Sequence, residues 1–444
     1  MNDGSDPIYY FGGQSPNRRL LMVHEACMHK IRSLLQKLAD NEIWFVGFLA
    51  IASLIYERLL LVCVLVAIGF WIIRWVSQGY PSTRTPADLS ILLLMLALPV
   101  TLWVTPLPHV TQPQILRLLS GIVLYYAIVN WANSIKRIRL AIVLVTFTGI
   151  FLSVYALISV EWAAGKWLTL LNNWHQYLTP LVTDTVNPNV MAGNIVLILP
   201  VAISGLLAGW EKNTWLYRVL FSAGTLIITG VLVLTLSRGA LIAMAIALMV
   251  FIVIRWKWGW VFVAIVSIGV VFALFRIGSY PLLEALLSGT SVGSLEARVQ
   301  LWSRALLIAS TFPFTGIGMG MTNQVINQLF PLLSQETIVI AHVHNLFLQI
   351  LVDLGIGGLI GWLATLILAI YLAWRLFIEG SKSNSRRGWI AGIGAGLLCS
   401  QIALIVHGLT DSVTWGMVRP APLVWVLWGL IMACGNAYSK CGDK

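Results

Sequence analysis

Long apolar runs, broken by short polar or basic stretches, fill most of this chain. Twelve of them reach or approach the roughly 20 residues that a helix needs to cross a bilayer. They cover 42–56, 59–76, 88–106, 115–133, 138–160, 189–209, 217–236, 239–255, 259–277, 355–377, 388–408 and 420–437. The ten-residue alternation of a membrane β-barrel is missing. The predicted fold class is therefore an all-α integral membrane protein of about 12 transmembrane helices, with one long loop, 278–343, between helices 9 and 10. The first run is short and is expected to be tilted or only partly inserted. Ahead of it, 18–40 is basic and amphipathic, which suits a helix lying on the membrane surface. The division is then 1–41 as an N-terminal amphipathic segment, 42–437 as one membrane domain, and 438–444 as a tail.

Composition agrees. The chain has 444 residues, 59% of them hydrophobic and only 10% charged, against about 25% charged in soluble domains. The net charge of +11 could suggest nucleic acid, but the basic residues do not cluster with aromatics on a polar module, so no nucleic-acid partner is expected. Topology explains them better. With the N-terminus in the cytoplasm, 20 of the 28 Lys and Arg fall in inside segments. The rest, Arg58, Arg117, Lys166, Arg238, Arg276, Arg298, Arg304 and Arg419, fall outside. That bias puts both termini in the cytoplasm. An arginine on the outside works against it and therefore calls for a reason. The first seventeen residues are polar, and no signal peptide is expected. Five cysteines without a CxxC pair suggest neither a disulfide framework nor a zinc site.

Four local patterns carry possible chemistry. Asn187-Pro188-Asn189 opens a span, with Pro188 at a first helical position and Asn187 as its cap. Asn194 follows inside an apolar helix, where a structural role facing the bundle is favoured. Ser237-Arg238-Gly239 is a tight outside turn. Its arginine suits either snorkelling to membrane lipids or holding an anionic headgroup. Ser294 is a good helix cap before Arg298, Trp302 and Arg304. Arg298 and Trp302, four apart, share a helix face. The glycines at 316, 318 and 320 then permit positive φ or close backbone approach. Last, His342-Val343-His344-Asn345 precedes Gln349 and Asp353. Asn345, Gln349 and Asp353 at i, i+4 and i+8 draw a polar stripe that lipid would not accept. His344 is either a plain helix cap or a group for proton transfer. The two histidines could share a metal, but no further His or Cys lies near them in sequence, so no metal is expected.

Together these patterns resemble the O-antigen ligase / O-antigen polymerase family of bacterial polytopic membrane proteins. The resemblance runs over about 186–411 and is carried by Asn187-Pro188-Asn189, Ser237-Arg238-Gly239, Arg298 with Trp302, the glycines after Pro313, and His344-Asn345 through Gln349 to Asp353. It implies a glycosyltransferase, active on the periplasmic side, that moves a glycan from undecaprenyl pyrophosphate to an acceptor hydroxyl. The acceptor would be lipid A core, another glycan repeat, or protein. It further implies pyrophosphate binding by Arg238 and Arg298, a general base in His344, inversion at the anomeric carbon, and no metal or other cofactor. Trp302, Arg304, Asn345, Gln349, Asn189 and, more weakly, Asp411 are the expected substrate-binding or orienting residues. A small-anion transporter of bicarbonate type and a non-catalytic envelope-assembly protein are the alternatives. The first would call for ionisable residues within the spans, and few are present.

Overall fold

A computed structural model describes residues 16–53, 56–160, 162, 186–207, 214–277, 295–332, 340–381, 385–415 and 422–442. Ser294, Lys166 and Arg419 lie outside them. The described residues form helices and no strand. In order these are α1 (Pro16–Ala39), α2 (Glu42–Ala52), α3 (Leu59–Gln78), α4 (Asp88–Val104), α5 (Pro108–Trp131), α6 (Ile135–Ser159), α7 (Pro188–Leu207), α8 (Thr214–Leu234), α9 (Arg238–Arg255) and α10 (Gly259–Ile277). There follow α11 (Leu295–Thr311), α12 (Thr322–Leu329), α13 (Leu346–Ser381), α14 (Ser385–Gly408) and α15 (Leu423–Gly442).

Among the described residues nine helices are long and apolar enough to cross a membrane, and α4 and α15 are shorter apolar helices. The chain is thus a multi-pass membrane protein. The expected first span is different: α2 has 11 residues, about 16 Å at 1.5 Å per residue, roughly half a bilayer core. At one end α2 is pinned. Its Glu42 receives Arg74 of α3 at 3.0 Å and the amide of Asn130 of α5 at 3.2 Å. Arg74, counted among the topogenic cations, is therefore buried and paired. The pair is itself within reach of a helix carbonyl, since Arg74 also donates to Ala39 O at 2.9 Å.

The core sits on α7 and α14. Both are mostly buried, whereas α10 is almost wholly exposed and packs on α9. α14 lies against α13, α7 and α9. Small residues set that closeness, as expected where no water drives helices together. An added Cβ at Gly394 would come within 2.7 Å of the Phe377 nitrogen, so nothing larger fits against α13.

α13 is two helices joined at a break. Its 36 residues would run to about 54 Å, far beyond the membrane core. At Gly355 the backbone leaves helical geometry with φ 68° and ψ −171°. An interrupted helix strands amides and carbonyls, each costing several kcal/mol in apolar surroundings. Here the loop after α11 takes them up. Ile356 N–H donates to Pro313 O at 2.7 Å, and Val352 O accepts from Ile317 N–H at 2.9 Å. Thr101 Oγ1 of α4 donates to Asp353 O at 3.1 Å and accepts from Met319 N–H at 2.9 Å. The fit needs glycine on both sides. Gly316 and Gly355 both have positive φ, and a Cβ on either would meet the facing segment's carbonyl oxygens at 2.5–2.9 Å.

Within the expected long loop, α11 and α12 form a small core of their own. Leu301, Ala305 and Ile308, spaced three and four apart on α11, bury against Ile317, Met321, Ile326, Ile340, Val343 and Val352. This cluster seats residues 340–345 on the first half of α13.

Candidate functional site

Residues 342–345 enter α13 through a turn that holds its histidines tightly. His344 has φ 52°, in the left-handed region, which His visits more readily than most residues but still at a cost of order 1 kcal/mol. The turn survives because its neighbours fix it. Asn345, not His344, caps the helix: its Oδ1 accepts from the Phe347 and Leu348 amides at 3.1 and 3.0 Å. The cap reading of His344 therefore falls. Asn345 Nδ2 donates across to Leu409 O at 3.1 Å, joining this turn to the end of α14. Val343 N–H donates to Gln349 Oε1 at 2.8 Å.

Opposite stands Asp411, in the segment after α14. It is buried, and its Oδ1 is fixed by the Ser412 amide at 2.8 Å. His344 Nδ1 lies 3.5 Å and His342 Nδ1 3.7 Å from that oxygen. The two imidazoles meet edge to face, with centroids 4.2 Å apart. His407, one helical turn before Asp411 on α14, is buried beside them. Arg298 completes the group: its charge acts on both His342 and His407.

Charge within the cluster is settled by burial and pairing. Burial holds the His342 imidazole down at about 4, against the pull of Asp411 and with help from His344 and Arg298. His342 is therefore neutral near pH 7, and its Nδ1 accepts from the His344 amide at 3.3 Å. Burial pushes the Asp411 carboxyl up, but His344, His342 and His407 together outweigh it and bring it down to about 2. A carboxylate faces Nδ1 of His344. The contact falls outside hydrogen-bond geometry among the described residues, and the facing carboxylate favours the tautomer with its proton on Nδ1 and Nε2 as the basic nitrogen.

The remaining expected residues are placed as follows. The turn at Ser237–Gly239 abuts the same cluster: a Cβ on Gly239 would lie 2.4 Å from Thr410 Oγ1 and 3.9 Å from His407 Cδ2. Arg238, at the start of α9, thus sits beside the Asp411 segment, with its side chain exposed. Trp302 is half-buried on the Arg298 side of α11. Among the described residues, its indole nitrogen and the Nε atoms of Arg298 and Arg304 are buried without a hydrogen-bond partner. Arg304 points about 120° away from Arg298 around that helix. Asn189 lies at the start of α7, where its amide donates to the Asn187 cap at 2.8 Å. Gln349 is fully buried, and both its amide hydrogens are taken, by Thr322 Oγ1 at 2.9 Å and Asp353 Oδ1 at 3.0 Å. Through its Oε1 it supports the turn that carries the histidines. Asn345 is likewise occupied with protein partners.

His342, His344 and Asp411 each offer one ligand atom within 4.8 Å of the others, so the fold supplies the third metal-ligating group that sequence proximity did not show. Sequence reasoning also passed over His407. Its spacing of four from Asp411, at a helix end, was the available signal.

A model of the O-antigen ligase family matches residues 223–363. The match takes in Arg238, Arg298, Trp302, Arg304, His344, Asn345 and Gln349, and it ends before His407 and Asp411. The resemblance read from the sequence thus holds over this segment. Among curated proteins, none matches the chain.

Proposed function

We propose that this chain, with its O-antigen ligase segment, transfers a glycan from undecaprenyl pyrophosphate to an acceptor hydroxyl at the periplasmic face of the inner membrane. The observation that carries the reading is the meeting of His344, Asp411 and the Arg298 charge, brought from three segments to one end of the bundle.

In this reading His344 Nε2 takes the proton of the acceptor hydroxyl, while Asp411 holds the ring by its Nδ1 side and balances the imidazolium that forms. The separation of 3.5 Å is loose, as catalytic contacts often are before substrate binds. The acceptor oxygen then attacks the anomeric carbon, and the bond to the lipid pyrophosphate breaks on the opposite face. Configuration inverts. Arg298 and Arg238 take the charge that develops on the departing pyrophosphate, a task suited to guanidinium forks. Trp302, on the Arg298 side of α11, lines the approach. Asn345 and Gln349 shape the turn that carries His344. Pyrophosphate is already a good leaving group, so the scheme runs without a metal. The acceptor is lipid A core, a second repeat or protein.

The test is a transfer assay with purified protein, a defined undecaprenyl-pyrophosphate glycan and each acceptor class. His344→Ala and Arg298→Ala should each abolish product, and Arg298→Lys should recover little of it. Transfer at the wild-type rate by either alanine variant rejects the assignment. Bicarbonate flux into proteoliposomes, without transfer, would favour the transporter.

A further inference from the structure

Asp353 closes the first half of α13 and is buried to 1% exposure. Among the described residues no cation pairs with it. A buried acid without a counter-charge is costly and rarely accidental. What surrounds it instead is donors. Gln349 Nε2 reaches Oδ1 at 3.0 Å, Trp415 Nε1 reaches Oδ2 at 2.8 Å, and the Gly320 amide adds a third. Only a group with two acceptor oxygens satisfies donors from both sides. An amide would turn one N–H against another.

These contacts join the two segments of the candidate site. Gln349, which donates to Asp353, accepts from the amide of Val343 between the two histidines. Trp415, held by the other oxygen, ends the short turn that begins at Asp411. Its amide donates to Ser412 O at 3.0 Å. Asp353 therefore grips the His344 turn through Gln349 with one oxygen and the Asp411 turn through Trp415 with the other.

We infer that Asp353 is a positioning residue that sets the separation of His344 from Asp411 through Gln349 and Trp415. The role in turnover rests on the glycan-transfer reading; the geometric role does not. Loss of such a link shifts the pair by a fraction of an ångström to an ångström, which costs roughly 10- to 100-fold in rate.

The decisive comparison is Asp353→Asn against the exchange Asp353→Asn with Gln349→Glu. In the exchange a carboxylate at 349 accepts from the Val343 amide, Thr322 and the new amide, whose oxygen still accepts from Trp415. Two readouts are taken on the full-length protein in detergent. The first is kcat and KM for transfer. The second is the pH titration of the His344 ring nitrogens by NMR, identified by their loss in His344→Gln. Asp353→Asn should lower kcat about 10- to 100-fold, leave KM for the donor near the wild-type value, and move the His344 titration. The exchange should restore most of both. An unmoved titration in Asp353→Asn overturns the inference, as does an exchange variant that melts like wild type yet recovers neither readout. Should Asp353→Asn fail to fold, Trp415→Phe removes one donor alone, and an unmoved titration there overturns the inference equally. A wild-type protein that transfers no glycan defeats the functional reading, while the titration still decides the positioning.

Discussion

His344 presents Nδ1 to Asp411 Oδ1 at 3.5 Å, from a turn at the start of one helix to a segment just past the end of the next. Asn345 bridges the same two segments through Leu409 O. The pair is therefore built into the packing of α13 on α14 and does not depend on a flexible loop.

Asp411→Asn should lower kcat by about 100-fold or more, the usual contribution of an oriented proton acceptor. An amide can offer its N–H to Nδ1 and favour the wrong ring tautomer. KM for the lipid donor should change little. Steady-state kinetics at saturating acceptor decides this; a rate within twofold of wild type would remove Asp411 from the mechanism.

Acid should destabilise the protein in two separable steps. The His342 value in the fold, about 4, lies below its ordinary 6.5. Its contribution is therefore complete above pH 6.5 and is lost as pH falls through 4. Asp411, at about 2 against an ordinary 3.8, loses its contribution lower, between those values. Melting temperatures of wild type and His342→Gln across this range should show a smaller upper step in the variant.

Gly355→Ala should cost at least 1–3 kcal/mol and most activity, since a Cβ at φ 68° would stand 2.5 Å from Phe314 O. Gly357→Ala, with nothing within 4 Å of the added atom, should be neutral or mildly stabilising. Thermal melts of the two variants side by side check this. Equal melting would mean that the break in α13 is not held as described.

Chelation separates the two uses of the His342, His344 and Asp411 cluster. As a proton-transfer site it should keep its transfer rate after exhaustive treatment with a strong chelator. Activity lost on chelation and regained on adding zinc would assign the cluster to a metal instead.

Much of the architecture was legible in the chain. Spans show themselves because bilayer thickness sets a length and lipid forbids charge, two rules that act on each segment alone. The exception, α2, lay at the short end of that rule, and its terminal Glu42 belongs to an ion pair with Arg74 that no local pattern announces. The polar stripe of Asn345, Gln349 and Asp353 was visible from helical spacing, as was its need to face protein. Its individual uses were not: a cap, a bridge to Val343, and an anchor for Trp415 look alike as a period of four.

By itself, then, the sequence determined the helical membrane character and the family resemblance, and it singled out His344, Arg238 and Arg298 as candidate side chains. Those follow from composition, spacing and residue chemistry, which are local. The tertiary structure alone decided that Asp411 faces His344, that His342 and His407 crowd the same carboxylate, that Asn345 takes the cap, and that Asp353 ties the two turns together. Each of these depends on the approach of α13 to α14 and on the backbone contacts at Gly316 and Gly355, which are fixed by packing between segments far apart in the chain.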